Sequence, residues 1–177
     1  MKNFRTKCMI LVVVLCTAMS TQAQENGVTL DFDNNQAHVA MLQSYVETMK
    51  SGDAVKLNAY FNDDALIVGL GSAMDTISKG EHLQYYKDSF QASNFDITRD
   101  VYLAVKTDSN AAVDPGEYGF GWGTVTVTNK TTQKSAEARF HVVGLIANGK
   151  FSFLGHYYDT MPFALSQGYT LTPPNGQ

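Results

Sequence analysis

The dipeptide Asn148-Gly149 narrows most what this chain can fold into. It joins residues 134–147 to residues 150–158, two runs rich in β-branched and aromatic side chains. Asn-Gly accepts two consecutive positive φ angles, which the tightest hairpin turn demands, so the two runs should pair as antiparallel strands. Without a bulge, that turn also sets the register. One face would carry Ile146 with Phe151, Gly144 with Phe153, Val142 with Gly155, and Phe140 with Tyr157. The other would carry Leu145 with Ser152, Val143 with Leu154, His141 with His156, and Arg139 with Tyr158. Two opposed histidines beside an Arg and a Tyr suit a pocket wall. The same residue types also suit a solvated face. Alternation leaves both readings open.

Two further runs, 95–106 and 117–128, are separated by Asp114-Pro115-Gly116 and extend the sheet. Ahead of them the spacing is helical. Val39, Leu42, Val46 and Met49 recur at intervals of three and four up to Gly52. Asp53 can cap a second helix with Leu57, Tyr60 and Phe61 on its buried side. Asn62-Asp63-Asp64 reads as a turn into a strand at 65–70, and Gly71-Ser72 as a hairpin to a short strand at 74–77. Ser78-Lys79-Gly80-Glu81 is a capping box, opening a third helix with Leu83, Tyr86 and Phe90 on one side. A short helix can follow Thr160, because Pro162 is tolerated in a first turn.

The first 23 residues read as an export signal. Lys2, Arg5 and Lys7 precede a seven-residue apolar run, and Thr21-Gln22-Ala23 offers small residues for cleavage after Ala23, with Ser20 as the second choice. A lipidation reading through Cys16 is weaker, since Leu15 stands where such a signal wants a small residue. Both cysteines, Cys8 and Cys16, lie in this segment, so the processed chain would lack thiol chemistry. It would keep ten of the thirteen Lys and Arg against all seventeen Asp and Glu, a net charge of −7. That balance argues against nucleic acid or an anionic membrane as partner. The expected organisation is a signal peptide at 1–23, a flexible lead-in at 24–34, one domain at 35–167 and a loose tail at 168–177. The expected location is periplasmic or secreted, without membrane insertion after processing.

Tyr45 to Ala65 (YVETMKSGDAVKLNAYFNDDA) resembles the opening of SnoaL-like and ketosteroid-isomerase-like proteins of the nuclear-transport-factor-2-like superfamily. That opening is a helix, a Gly-Asp break, a second helix, then an aromatic residue and Asp-Asp-Ala leading into a strand. Asn148-Gly149-Lys150 and Tyr157-Tyr158-Asp159 also look like that superfamily, and the resemblance spans about residues 35–165. It implies an α+β fold, a cone-shaped curved mixed sheet wrapped around three helices (a cystatin-like, nuclear-transport-factor-2-like roll), with a pocket at the open end. It further implies that His141, His156 and Tyr158 point inward and that aromatic side chains cover the convex side, where homodimers form. By the same likeness Tyr45 stands where isomerases place an oxyanion donor. Gly69 stands where they place the carboxylate base, and His141 at or near the second donor. SnoaL-like cyclases want an acid–base residue near His156, whose ordinary titration range suits proton transfer. The bland reading of Tyr45 is a tyrosine packed in the core.

The remaining candidates divide similarly. Asp159 suits capping of the helix after Thr160 better than catalysis. Trp122 sits among Gly119, Gly121 and Gly123 inside a strand, and either lines the cavity or fills core with Phe120. The histidines (His38, His82, His141 and His156) form no close ligand motif, and His141 with His156 would make at most half a metal site. We expect no metal and no cofactor. No Gly-x-Ser-x-Gly elbow or complete dinucleotide loop is present, and Asn129-Lys130-Thr131 matches a glycosylation acceptor only formally. The leading expectation is a protein binding a small, largely apolar ligand through Tyr45, Trp122, Arg139, His141, His156 and Tyr158. The alternatives are a cyclase, isomerase or dehydratase using His156 or His141, and an assembly module acting through Phe140, Phe151, Phe153 and Tyr157.

Overall fold

The computed structural model describes residues 27–70 and 75–172. The export signal, its cleavage site, Cys16, the Gly71-Ser72 turn and the end of the tail lie outside those residues.

Helix α1 (Asn35–Ser51) buries His38, Leu42, Tyr45, Val46 and Met49, one stripe at helical spacing. It stops at Gly52, whose φ of 72° lets its amide turn back onto the Met49 carbonyl. Asp53 caps the short α2 (Ala54–Asn58) by accepting from the Lys56 amide at 2.9 Å. Helix α3 (Lys79–Ala92) opens with the full capping box: Ser78 Oγ accepts from the Glu81 amide, and Glu81 Oε2 accepts from the Ser78 amide at 2.7 Å. Its buried stripe is His82, Tyr86 and Phe90, so His82 takes the deep position expected for Leu83.

Among the described residues seven strands form one curled, unclosed mixed sheet. They are β1 (Val28–Thr29), β2 (Phe61–Val68), β3 (Thr76–Ile77), β4 (Ser93–Thr107), β5 (Gly116–Asn129), β6 (Ser135–Ala147) and β7 (Lys150–Tyr158), in the order β1-β4-β5-β6-β7-β2-β3. Among the described residues only the β2–β7 pairing is parallel. A last helix, α4 (Met161–Ser166), follows, and Asp159 caps it by accepting from the Met161 amide at 2.9 Å. The fully buried side chains, Tyr45, Phe61, Phe151, Leu42, Leu57 and Ile67 among them, lie between the helices and the inner face of the sheet. Each contributes about 1.5–3 kcal/mol by leaving water. Gly119 lets α1 settle there, because a Cβ on it would stand 2.6 Å from Leu42 Cδ1.

Two expectations change. Asn62-Asp63-Asp64 is not a turn but part of β2, bulged between Phe61 and Leu66. Polar partners hold this irregular stretch: Asn62 donates to the Ala147 carbonyl at 3.2 Å, and Lys79 donates to the Phe61 carbonyl at 2.9 Å and to Asp63 at 2.8 Å. Residues 28–29, expected in a flexible lead-in, form β1. Asn35 secures them by donating to the carbonyls of Leu30 at 2.9 Å and Ala104 at 3.0 Å.

The hairpin holds the most consequential correction. Asn148 and Gly149 adopt φ of 56° and 70°, and Ala147 faces Lys150 as the turn requires. A bulge then leaves Ser152 unpaired, so Leu145 faces Phe153. Ser152 Oγ donates to the Leu145 carbonyl at 3.2 Å, which satisfies the irregularity. Beyond it Val142 faces His156, His141 faces Tyr157 and Phe140 faces Tyr158. Because side chains alternate, this one-residue slip puts His141 and His156 on opposite faces of the sheet.

Candidate functional site

Helix α1 carries Tyr45 to the inner face of the sheet, where its hydroxyl lies 3.0 Å from His156 Nε2. The other ring nitrogen, Nδ1, is 3.3 Å from the Val68 carbonyl, which can only accept. Nδ1 therefore carries the proton, and Nε2 accepts from the Tyr45 phenol. The rings of Tyr60, Phe61 and Phe151 meet Tyr45 edge to face at 5.6–6.0 Å. Burial lowers His156 to about 4 and raises the Tyr45 phenol well above its ordinary value. Both groups are neutral at neutral pH.

From this buried pair a cavity of about 550 Å³ runs between α1, α3, α4 and the inner face of the sheet. Met49, Leu70, Phe95, Ile97, Val127 and Phe140 supply much of its apolar wall. Tyr85, Ser89, Asn129 and Tyr158 supply polar groups. No Asp, Glu, Lys or Arg lines it among the described residues. Desolvation raises the Tyr158 phenol as it does that of Tyr45.

Gly69 follows β2 directly beside this wall. Its φ is 87°, and a Cβ on it would lie 2.0 Å from the His156 carbonyl oxygen. No side chain fits, so a carboxylate at this position would require the β2–β7 contact to move.

The six expected contacts divide between two surfaces. Tyr45, His156 and Tyr158 line the cavity. Trp122 and Arg139 do not line it, and His141, which does, stacks its ring with the outer-face row on the side of the sheet opposite His156. Arg139 is exposed, and Trp122 is 40% exposed. The His141 ring stacks between Trp122 at 4.9 Å and Tyr157 at 5.8 Å, and Phe120 packs against both Trp122 at 6.0 Å and His141 at 6.2 Å. The expected pairing of His141 with His156 on one face is corrected by the Ser152 bulge, which puts His141 opposite Tyr157 and His156 opposite Val142. The inward neighbours in β6 are Phe140 and Val142. The expected convex patch changes for the same reason: Phe140 and Phe151 turn inward, whereas Tyr157 remains 52% exposed. His156 departs from its ordinary titration range because it is desolvated.

Three inner residues are not among the site candidates that the sequence suggests. Tyr85 lines the cavity, and Tyr86 is buried behind it with its phenol raised by desolvation. Their signal was two adjacent tyrosines one turn after a capping box. His82 donates from Nδ1 to Asn58 Oδ1 at 2.9 Å, its Nε2 has no partner, and desolvation lowers it to about 3. No local pattern marks such a histidine.

No family model matches the chain, and no curated protein is significantly similar to it. Solved structures are similar in fold. A candidate polyketide cyclase from Xanthomonas campestris superposes with a TM-score of 0.61 at 11% identity, covering 76% of this chain and 98% of the other. An LEH-like epoxide hydrolase from M. tuberculosis gives 0.55 at 11% identity, covering 76% and 91%. A nuclear-transport-factor-2-like protein from Burkholderia xenovorans LB400 gives 0.56 at 16% identity, covering 78% and 98%. The fold is therefore the nuclear-transport-factor-2-like α+β roll.

Proposed function

We propose that this chain is an exported protein that holds a small, uncharged, largely apolar molecule in its cone. The observation that carries the reading is the 550 Å³ cavity lined without a single ionisable carboxylate, ammonium or guanidinium group among the described residues. Such a lining offers no opposite charge to offset the desolvation of a charged ligand, whereas an uncharged one gains by burying apolar surface. The Tyr45–His156 pair and Tyr158 supply the few polar contacts that fix orientation. Titration with the neutral fluorophore N-phenyl-1-naphthylamine tests this. Saturable binding lost on filling the cavity by Val127→Trp supports it, and binding indifferent to that change refutes it.

A second reading, an enzyme, is favoured by the hydrogen bond between a phenol and an imidazole at the buried end of a cavity. Epoxide hydrolase and cyclase names among the similar structures point the same way. Against it, His156 at about 4 is a weak base and the raised Tyr45 phenol a weak acid, and both lie far from the range that serves proton transfer at neutral pH. Binding is the better account. On the outer face, Val101, Trp122, His141 and Tyr157 stand in one cross-strand row, and three of them are exposed by 40–62%. We assign this row to a homodimer contact. Sedimentation that returns a monomer at high concentration would remove that assignment.

A further inference from the structure

The wall that α4 contributes differs from every other wall of the cavity. The strands and α1 are tied into the fold by ladders and by fully buried side chains. None of the α4 residues is buried. Among the described residues, every hydrogen bond made by residues 160–169 stays within residues 159–169. Met161 donates to Asp159, Ala164 to Thr160, Gln167 to Phe163, and Tyr169 to Ala164. Ser166 Oγ donates to the Phe163 carbonyl, and Gln167 Nε2 donates to Ser166 Oγ. The helix rests against β6 with Pro162, Phe163, Ala164 and Ser166 half-buried, and of these Phe163 packs on the core cluster and meets the Tyr158 ring edge to face at 6.1 Å. Yet Thr160, Phe163, Ser166 and Gln167 all line the cavity.

We infer that α4 is a hinged lid over the cavity, latched by Phe163, and that it opens to admit ligand while the sheet and the other helices stay folded. A segment with no cross-element hydrogen bonds and no fully buried side chain opens at lower cost than the strands beneath it. Asp159 and Thr160 lie at its start, where β7 ends, and Gly168 closes it at φ of 97°, so the backbone change can fall on its two ends. Ligand in the cavity adds contacts to Phe163 and Gln167 and favours the closed state. The inference rests on the binding reading above, and the experiment separates the two.

Amide hydrogen exchange on the whole protein is followed with and without N-phenyl-1-naphthylamine, and the association rate of this probe is measured by stopped flow. The amides of Ala164, Gln167 and Tyr169 should exchange at least about a hundredfold faster than those of Val142 and Leu154. Saturating probe should slow them about tenfold, and Phe163→Ala should raise the probe association rate by a similar factor. Phe163→Leu should fall between, and Leu165→Ala, on the exposed side of the helix, should change nothing. Exchange at Ala164 as slow as at Leu154 would overturn the lid. So would bound probe that leaves those amides and the Phe163→Ala association rate unchanged. If no probe binds, the binding reading fails instead. The exchange comparison in free protein, with Phe163→Ala against wild type, then still decides whether Phe163 latches a separately opening helix.

Discussion

The Tyr45 phenol donates to His156 across 3.0 Å, joining α1 to β7 over 111 positions of sequence. The Val68 carbonyl fixes the imidazole from the other side, so each partner has one orientation and one protonation state. The pair is thus a rigid, neutral, polar end to an apolar cavity. Removing its donor should leave a buried acceptor unpaired. Tyr45→Phe should cost about 1–3 kcal/mol in urea unfolding. An unchanged midpoint would show that His156 does not depend on this bond.

Acid should weaken the fold over a defined window. Burial holds His156 at about 4 and His82 at about 3, whereas both take up a proton near 6.5 in the unfolded chain. The folded values are depressed, so this stability is fully present above about 6.5 and lost as pH falls towards 4 and then 3. Between pH 7 and 4.5 each ring should account for a loss of about 2–3 kcal/mol. Thermal melts across that range should show a steep fall in the wild type and a shallower one in His156→Gln. Parallel curves would contradict the assignment.

Gly69→Asp, the substitution that would restore a carboxylate beside the cavity, should damage the fold rather than create activity. The new Cβ would meet the His156 carbonyl at 2.0 Å from a backbone at φ of 87°. A cost of about 3 kcal/mol or more is expected, read as a lowered melting temperature. A variant as stable as the wild type would show that β2 and β7 can separate freely at this point.

The slip at Ser152 gives the two histidines different fates. His156→Ala should weaken probe binding, whereas His141→Ala should leave it within about twofold, because deletions outside a site seldom reach it. Trp122→Glu should act on the outer face alone, shifting sedimentation from dimer to monomer without changing probe affinity. Equal losses of affinity in the two histidine variants would contradict the separation of faces.

Much of this fold is legible in the sequence because its signals are local. The α1 stripe, the Gly52 stop, the Asp53 cap, the Ser78–Glu81 box and the Asn148-Gly149 turn each depend on residues within a few positions, and each appears in the structure. The site was harder to read. Tyr45, His156 and Tyr158 reach the cavity, but the placement of His141 and Arg139 depended on parity along β6 and β7. One bulge inverts that parity, and nothing about Ser152 announces it. Strand β2 misled for a related reason: Asn62, Asp63 and Asp64 look like a turn until Lys79 and the Ala147 carbonyl arrive from elsewhere. His82, Tyr85 and Tyr86 became part of the inner wall only through packing that no window of sequence contains.

The most direct test of the central claim is equilibrium titration of the purified protein with N-phenyl-1-naphthylamine, beside Val127→Trp and a charged analogue of the probe. One saturable site for the neutral probe, abolished in the folded Val127→Trp variant and closed to the charged analogue, is the expected result. Equal uptake of both compounds, or uptake that Val127→Trp leaves intact, would contradict an uncharged ligand held in this cavity.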